Sequence, residues 1–399
     1  MPPAARATSL PGGVIALGMV SLFMDISSEM IHGTLPVFLT TVLGASALSV
    51  GAIEGVAEAT AAVCKVFAGA VSDWTRRRKP LVLLGYGLSM VTKPLFPLAT
   101  GVGMVLGARF VDRIGKGVRD APRDALVADL TPPDARGAAY GLRQSLDTVG
   151  AILGPALAIW LMTITHDDLR FVYTVAVLPA VVAVAIVVVA VREPDGTGAA
   201  GTRVPLHRSD VARLPRRYWL VVAFGAILTL ARFSEAFLLL RANELGLASA
   251  YVPGVLIVMN VAYAASAYPL GRLSDHVRPR VLAWGVGCLV AADVVLAATH
   301  TVAWVLVGAA AWGLHLGATQ GLLTAVVADA APADLRGTAF GVFHLVAGVA
   351  LLAASLLAGW LWHAVGPPMA FATSAVFCMV ALAGMWGRPT ANLPTREKD

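Results

Sequence analysis

The sequence predicts an all-α membrane protein with about twelve transmembrane helices in two pseudo-symmetric six-helix bundles. Three observations lead to this prediction: an apolar composition, long apolar runs joined by alternately basic connections, and an internal repeat spaced by half the chain. Of the 399 residues, 58% are hydrophobic and only 14% are charged, whereas a soluble domain is about 25% charged. A soluble fold of this length cannot bury so many apolar side chains, which leaves a multi-pass membrane protein embedded in a lipid bilayer.

The apolar runs are long enough to cross a bilayer as helices, which takes about 20 residues each. They are expected near 13–40, 47–71, 81–99, 101–121, 137–163, 171–191, 218–242, 251–270, 280–299, 302–327, 337–362 and 367–387. A basic segment rich in Gly and Pro at 192–217 separates the sixth run from the seventh. The predicted organisation is an N-terminal bundle at 1–191, a cytoplasmic linker at 192–217, and a C-terminal bundle with a short tail at 218–399.

Lys and Arg residues are concentrated in alternate connections. They follow the second, sixth and twelfth runs and surround the end of the eighth, while "TTVLGASAL" and "LATGVG" carry none. Cytoplasmic loops carry such an excess, so both termini are expected in the cytoplasm, with Arg170 in "HDDLR" as a weak counter-signal. The same loops account for the pI near 9.5, and nucleic acid is therefore not an expected partner.

The sequence contains no signature of catalysis, nucleotide binding or metal binding. Cys64, Cys288 and Cys378 lie far apart within apolar runs, without a disulfide framework or metal-ligand spacing. The phosphate-binding loop G-x-x-x-x-G-K-[ST] is missing, which argues against transport driven by ATP. We therefore expect that the protein is not an enzyme and binds no cofactor. An integral membrane enzyme is a weak alternative.

The two halves of the chain repeat one another. "ALVADLTPPDARGAAYG" begins at Ala125 and "AVVADAAPADLRGTAFG" begins at Ala325. "GAVSDWTRRRKPL" from Gly69 likewise matches "GRLSDHVRPRVL" from Gly271. Each copy occupies the equivalent connection of its half, which makes chance similarity between Ala-rich stretches the weaker explanation. Two like-oriented halves are typical of transporters that carry their substrate along the interface.

These segments resemble the major facilitator superfamily of secondary transporters, over essentially the whole chain. The loop motif G-x-L-A-D-R-x-G-R-R of that family is matched by Gly69, Val71, Ser72, Asp73, Arg77 and Arg78, while Trp74 and Arg76 depart from it. In the fourth run Arg113, Lys116 and Gly117 stand where antiporters carry R-x-x-Q-G, with Lys replacing Gln.

The fifth run carries the looser of these motifs. Gly150, Gly154 and Pro155 match the G-x-x-x-G-P of antiporters. The stretch "GKGVRDAPRDALVAD" is similar to a bacterial subgroup of the superfamily. The resemblance implies a major facilitator fold in a bacterial inner membrane, a small-molecule substrate, alternating access and exchange for protons. One chain with two halves is expected to work as a monomer.

Charged residues near the membrane centre are the main functional candidates, because each costs roughly 2.5–3.5 kcal/mol on insertion scales unless it is paired, hydrated or useful. The candidates for proton coupling are Asp25, Glu29, Glu54, Glu58, Asp112, Arg113 and Asp147. The candidates for the substrate cavity are Arg109, Arg232, Glu235, Asn260, His315, Gln320 and His344. Most of the charges lie in the first half, so that half is expected to handle protons and the second to supply a more neutral wall.

Several of these residues admit two interpretations. A carboxylate away from water can take up a proton, which makes Asp25 a candidate carrier. Arg113 is expected to tune a nearby acid, but the basic residues of the fourth run also have a purely structural explanation as partners of neighbouring acids. Arg232 and Glu235, three residues apart, are expected to pair, with an anionic substrate as the other partner for Arg232.

A third set is expected to act as a conformational gate rather than to touch substrate. It comprises Gly69, Asp73, Arg77, Arg78, Gly271, Asp275, Gly150, Gly154 and Pro155. Loop carboxylates can cap helix N-termini and pair with Arg in only one conformation, and small residues allow close helix packing. Ordinary close packing is the alternative for the glycines.

The function expected from the resemblance is proton-coupled efflux of a small molecule. The alternative is a proton symporter that takes up a small organic anion. It is favoured by the basic stripe on one face of the fourth run, because Arg suits carboxylates and phosphates; the stripe consists of Arg109, Arg113, Lys116, Arg119 and Arg123. A channel or receptor on the same scaffold is a third possibility, against which the repeat and the central carboxylates argue.

Overall fold

The structure, a computed structural model, describes residues 11–75, 77–132, 136–193, 211–332 and 335–386. Within these ranges it is built from helices and contains no β-strand. The helices are α1 (Gly12–His32), α2 (Leu35–Val37), α3 (Ala47–Thr75), α4 (Lys79–Thr92), α5 (Val102–Leu130), α6 (Arg136–Ile164), α7 (Leu169–Ala190), α8 (Arg216–Ala231), α9 (Ala236–Glu244), α10 (Gly254–Ala298), α11 (Val302–Ala330), α12 (Arg336–Ala364) and α13 (Pro367–Trp386).

The all-α membrane fold predicted from the sequence is confirmed. Among the described residues, nine helical segments are long and apolar enough to cross a membrane. Three more of the predicted spans, α4, α5 and α13, fall outside that set for identifiable reasons, and the apolar part of α13 is the shorter segment Pro367–Ala383. Helix α4 has 14 residues before it tightens into the 3₁₀ turn Lys93–Leu95, and α5 carries the basic stripe.

The first predicted span is not one continuous helix. Helix α1 ends at His32, and the chain continues through α2 and the π-helical turn Phe38–Val42. Pro36 lies at the start of α2, and its ring nitrogen has no hydrogen to donate to the carbonyl of His32. The break therefore leaves His32 at the last position of α1.

The seventh predicted span is also broken, at the point where its charges lie. Helix α8 ends at Ala231, Arg232 has φ −112° and ψ 78°, and α9 starts at Ala236. Ser234 Oγ accepts a hydrogen bond from the Ala236 N–H, which satisfies one of the donors that the break releases. Irregular backbone inside a membrane is tolerated only where protein or a water-filled cavity surrounds it.

The eighth and ninth predicted spans form the single helix α10 of 45 residues. Its only non-helical residue is Val277, with φ −137° and ψ 48°, so the connection expected between these spans is a kink rather than a loop. The predicted boundaries of the two bundles and of the linker remain predictions, since 194–210 lie outside the described ranges.

The two halves pack together at one end of the bundle. We call the end that carries Arg78, Arg217 and Arg278 the basic end, and the other the opposite end. The largest apolar core contains residues of both halves near the opposite end, including Phe38, Val50, Phe237, Leu239 and Trp362. At the basic end the described apolar clusters each belong to one half. The structure is therefore closed at the opposite end.

Helices α3 and α12 form the closest contact between the halves. A Cβ atom on Gly55 would lie 2.9 Å from Leu352 Cδ1, and one on Gly51 would overlap the carbonyl oxygen of Ser355. On the other side of the contact, a Cβ on Gly359 would lie 2.9 Å from the Ala47 carbonyl oxygen. These glycines let the two backbones touch, which seals the opposite end.

We predict that Gly51→Val weakens this seal. Overpacking costs about 1–3 kcal/mol, and about 1.4 kcal/mol changes the ratio of two conformations tenfold. In a cysteine-free background, the buried Ala358 replaced by Cys should react about tenfold faster with a polar maleimide. Gly87→Val is the control, because a Cβ on Gly87 meets open space. Equal labelling of Ala358→Cys in both backgrounds would contradict the prediction.

Candidate functional site

The central feature of the first half is a network of buried charges contributed by α1, α3, α5 and the end of α4. Arg109 Nη2 donates hydrogen bonds to both carboxylate oxygens of Glu54, over 2.9 and 2.7 Å. Both side chains are 2% exposed. An ion pair this deeply buried persists only when its charges satisfy each other, so Arg109 and Glu54 form the fixed centre of the network.

Asp112 is the second centre and collects three basic groups. Lys93 Nζ lies 3.2 Å from Asp112 Oδ1 and also donates to Ser28 Oγ over 3.0 Å. Arg113 Nε lies 3.7 Å and Arg109 Nη1 4.0 Å from Asp112 Oδ2. Lys93 was not among the sequence candidates, because a lysine near the end of a span ordinarily reaches water. Here its side chain is 2% exposed.

The network extends toward the interface through two side chains that are less buried. Arg113 Nη1 lies 3.3 Å from Glu58 Oε1, and the Glu58 side chain is 34% exposed. His32 lies between two acids, with Nδ1 3.4 Å from Glu29 Oε2 and Nε2 3.6 Å from Glu54 Oε2. The sequence analysis missed His32. The signal that would have found it is a histidine three residues after Glu29 on one helix.

Asp25 occupies a different environment on α1. It is half-buried, and within the described ranges it forms no hydrogen bond or ion pair. A Cβ atom on Gly150 would lie 2.8 Å from Asp25 Cβ, and one on Gly154 would lie 2.7 Å from Glu29 Cβ. The two glycines of the fifth-run motif therefore let α6 pack directly against the turns of α1 that carry these acids. Pro155 lies within α6, next to this contact.

The basic stripe of α5 continues toward the basic end with partners of a different kind. The Arg119 guanidinium lies 4.6 Å from the ring centroid of Tyr86 and donates to Ser89 Oγ over 2.5 Å. Arg123 Nη1 donates to Ser21 Oγ over 3.2 Å. The structural explanation offered for the stripe, as partners of neighbouring acids, thus holds for Arg109 and Arg113, which pair with Glu54 and Glu58 of α3. Arg119 and Arg123 instead contact hydroxyl and aromatic groups of α4 and α1.

An intrahelical ion pair joins Arg143 and Asp147, four residues apart on α6. Arg143 Nη2 lies 2.7 Å from Asp147 Oδ2, and Arg143 Nη1 lies 3.3 Å from Asp124 Oδ1. Asp147 is thereby tied to α5 through Arg143, and it lies apart from the Arg109 network.

The expected pair of Arg232 and Glu235 is not formed, and this prediction is corrected. The two residues flank the break between α8 and α9, so they do not have the helical three-residue spacing that the pairing assumed. No ion pair within 4.0 Å joins them to each other or to another residue that the structure describes. Both side chains are half-buried, and they carry two opposite charges at the interface.

The uncharged candidates of the second half do not converge on one place. Asn260 Nδ2 lies 3.4 Å from the Ala151 carbonyl oxygen of the first half, and His315 Nδ1 donates to the Gly285 carbonyl oxygen over 2.9 Å. His344 is stacked beside Phe340, with ring centroids 6.3 Å apart, and Gln320 is exposed. Asn260 thus joins the halves, while His315 is held inside its own half.

Asp293 is a buried acid of the second half that the sequence analysis passed over, although a lone acid in an apolar run is itself a signal. It is 0% exposed, and its Oδ2 lies 2.5 Å from Ser374 Oγ. The Ser374 hydroxyl also contacts the carbonyl oxygen of Ala231, the last residue of α8. One hydroxyl hydrogen makes only one short, near-linear hydrogen bond, so the two contacts fit a neutral Asp293 carboxyl that donates to Ser374.

The basic end shows the internal repeat as a repeated ion pair. Arg78 Nε lies 2.7 Å from Asp129 Oδ2, and Arg278 Nη1 lies 2.5 Å from Asp329 Oδ2. Each pair lies within one half, and the second pair repeats the first at an offset of 200 residues.

The surroundings of three other gate candidates are less crowded or open to solvent. Arg77 is exposed, a Cβ on Gly69 would lie 3.4 Å from Ala121 Cβ, and one on Gly271 would meet open space. The side chains of Asp73 and Asp275 lie outside the described part of the structure.

Two halves built of helices long and apolar enough to cross a membrane, with charged groups gathered beside their interface, define a membrane transporter rather than an enzyme. The sequence profile of the Major Facilitator Superfamily matches residues 17–261 and 236–399. An uncharacterised MFS-type transporter of Methanocaldococcus jannaschii is 32% identical over 383 residues, which cover 93% of this chain and 94% of the relative. The chain therefore belongs to the Major Facilitator Superfamily.

Two further comparisons concern fold and a shorter segment. The crystal structure of a POT family transporter in complex with a thioalcohol-conjugated peptide has a TM-score of 0.77 at 13% identity, covering 93% of this chain and 94% of that chain. This likeness shows a shared fold. The multidrug resistance protein MdtH of Photorhabdus laumondii is 32% identical over 130 residues, or 33% of this chain and 31% of that protein.

The partners of Asp112 generate an asymmetric prediction. Lys93→Gln leaves Asp112 near Arg113 and Arg109, whereas Asp112→Asn leaves the buried Lys93 ammonium without an acid. Removing one partner of a buried pair costs about 3–5 kcal/mol, so Asp112→Asn should lower the unfolding midpoint far more than Lys93→Gln. The double variant should resemble Lys93→Gln. Equal midpoints for the two single variants, measured by thermal unfolding in detergent, would contradict this assignment of partners.

The neutral carboxyl at Asp293 generates a second prediction. In Asp293→Asn the amide can still donate to Ser374, so the unfolding midpoint should stay close to that of the parent protein. Asp293→Ala removes the hydrogen bond and should cost about 1–3 kcal/mol. If Asn proves as destabilising as Ala in the same thermal assay, the carboxyl is ionised and the hydrogen-bond assignment is wrong.

Proposed function

We propose that this transporter exports a small molecule in exchange for protons, by alternating access between its two halves. The observation that carries the proposal is Asp25, a half-buried carboxylate that makes no hydrogen bond and no ion pair within 4.0 Å with any residue that the structure describes. It lies against Gly150, the first glycine of the motif that antiporters of the family carry. An acid in this position needs a proton or a cationic group when the surrounding space closes.

The proposed cellular arrangement follows from the charges of the connections. The basic end faces the cytoplasm of a bacterial inner membrane, in keeping with the distribution of Lys and Arg. The packed opposite end then separates the site from the outside, which is the conformation in which an exporter takes up substrate. The likeness of 130 residues to multidrug resistance protein MdtH supports efflux. A single chain supplies both halves and is proposed to work as a monomer.

In the proposed cycle, protonation of carboxylates alternates with substrate occupancy. Glu54 is held by Arg109, so its proposed part is to fix the network. Asp25, Glu29 and Glu58 are less buried and are better placed to exchange protons with water. Arg113 lies 3.3 Å from Glu58 and would favour the ionised form of that acid until the halves move.

The second half is proposed to supply substrate contacts at the break of α8 and α9. Discontinuous helices of transporters commonly expose polar groups to the substrate, and Arg232 and Glu235 flank this break. Arg232 is also the specific observation in favour of the alternative function, uptake of a small organic anion with protons, because a guanidinium suits a carboxylate.

The ion pairs of the basic end are proposed to bias the alternating equilibrium. Arg78–Asp129 and Arg278–Asp329 tie neighbouring connections within each half. Asp73 and Asp275 are next to these connections in the sequence, and we propose that they add further ion pairs there when the basic end closes. Gly150 and Gly154 are proposed to let α6 slide on α1.

A proteoliposome assay distinguishes export from uptake. Vesicles contain the protein and a pH-sensitive dye, a proton gradient is imposed, and a panel of organic cations and then organic anions is added. Proton movement opposite to a compound supports the exporter and identifies its chemical class. Proton movement together with an organic anion favours the symporter, and downhill flux without proton movement contradicts both.

We predict that Asp25→Asn abolishes proton-coupled flux in this assay while the protein still folds, because the amide cannot exchange a proton. The matched control is Asp167→Asn, in an exposed turn with φ 67° that Asn accepts readily. The control should keep the flux of the parent protein. Normal coupled flux in Asp25→Asn would remove Asp25 from the mechanism.

A further inference from the structure

His32 occupies a position that the cycle above does not use. It is the last residue of α1, and its two ring nitrogens face two different carboxylates. Nδ1 lies 3.4 Å from Glu29 Oε2, and Nε2 lies 3.6 Å from Glu54 Oε2 on α3. The imidazole is 14% exposed, Glu54 only 2%, and Glu29 25%. The ring thus connects a fixed, buried acid to an acid that reaches the interface.

The chemistry of imidazole decides the protonation state of this arrangement. A neutral ring has one N–H and one nitrogen lone pair. Whichever tautomer it adopted, the lone pair would face a carboxylate oxygen, and the contact would be repulsive. With both acids ionised, only the imidazolium, with an N–H on each nitrogen, makes both contacts attractive.

The balance of charge in the network leads to the same conclusion. Its acids are Glu29, Glu54, Glu58 and Asp112, and its permanent cations are Lys93, Arg109 and Arg113. A proton on His32 supplies the missing positive charge. The other charged groups that face Glu29 and His32 are Asp25, Lys116 and Glu235 with its neighbour Arg232, which contribute equal numbers of each sign.

We propose that His32 gives up a proton when substrate binds, separately from the proton that Asp25 needs when the surrounding space closes, and that a positively charged group of the substrate replaces the His32 proton beside Glu29. This inference rests on the proposed function. The substrate approaches Glu29 from the basic end, the Nδ1–H bond of His32 breaks, and the proton passes to water with the electron pair staying on nitrogen. The ammonium of the substrate then pairs with Glu29. One positive charge enters as one leaves, so the network stays neutral.

Glu54 stays in place during this exchange, because Arg109 holds both of its oxygens. The Nε2–H of the neutral ring continues to point toward Glu54. The substrate class that fits is therefore an organic molecule with one positive charge, such as an amine or a quaternary ammonium compound.

The test measures proton release on binding of ethidium, a fluorescent cation with one positive charge, to purified protein in weakly buffered detergent solution. The parent protein should release about one proton for each ethidium bound. His32→Gln retains a polar side chain but cannot lose a proton, so it should release none. His300→Gln, in an exposed connection, should release as many protons as the parent.

The variant His32→Lys distinguishes loss of the releasable proton from loss of folding. It keeps a positive charge between Glu29 and Glu54, so it should fold, but its more basic ammonium should hold its proton and lower ethidium affinity at least tenfold. Proton release that persists in His32→Gln overturns the assignment of His32 and leaves proton-coupled efflux intact, with Asp25 as carrier. No ethidium binding, together with proton-coupled flux of benzoate in vesicles, overturns the cationic substrate class. No proton-coupled flux of either compound overturns the proposed function itself.

Discussion

The need to neutralise charge inside a membrane governs this structure. The first half places Glu54, Asp112, Arg109 and Lys93 among buried side chains, where each would be costly alone. Arg109 joins Glu54, and Lys93 joins Asp112, so the charges of α3, α4 and α5 hold one another in place. The position of these helices follows from that mutual requirement. Helices can close around a network with no net charge in either conformation, whereas a network with a net charge opposes their closure.

Packing determines how the network meets the second half. Glycines bring α3 against α12 and α6 against α1, so the acids of α1 lie beside the interface rather than within a single bundle. The break between α8 and α9 brings Arg232 and Glu235 to the same interface. The backbone released by this break is held by Ser374 and, through it, by Asp293. Rigid helices thus surround one irregular segment, which is where a substrate would find polar groups.

The sequence predicted those features that depend on composition and periodicity, and the structure added those that depend on depth and geometry. The spans and the all-α fold followed from apolar runs, and the repeat indicated equivalent connections that now carry the Arg78–Asp129 and Arg278–Asp329 pairs. The sequence analysis did not identify Lys93 and His32 as site residues, because a residue near the end of a span can face either water or protein and the sequence alone does not distinguish the two. The expected Arg232–Glu235 pair failed because its geometry assumed a helix that ends at Ala231.

The most direct test of the account is the protonation state of His32, which charge neutrality of the network requires. Nitrogen-15 NMR of the histidine side chains, recorded at neutral pH on the labelled protein in lipid, distinguishes an imidazolium from a neutral ring. The account predicts one imidazolium signal that persists at neutral pH and disappears in His32→Gln. A His32 with one protonated and one bare nitrogen at neutral pH would contradict the assignment of the proton to His32 and, with it, the exchange of that proton for a cation at Glu29.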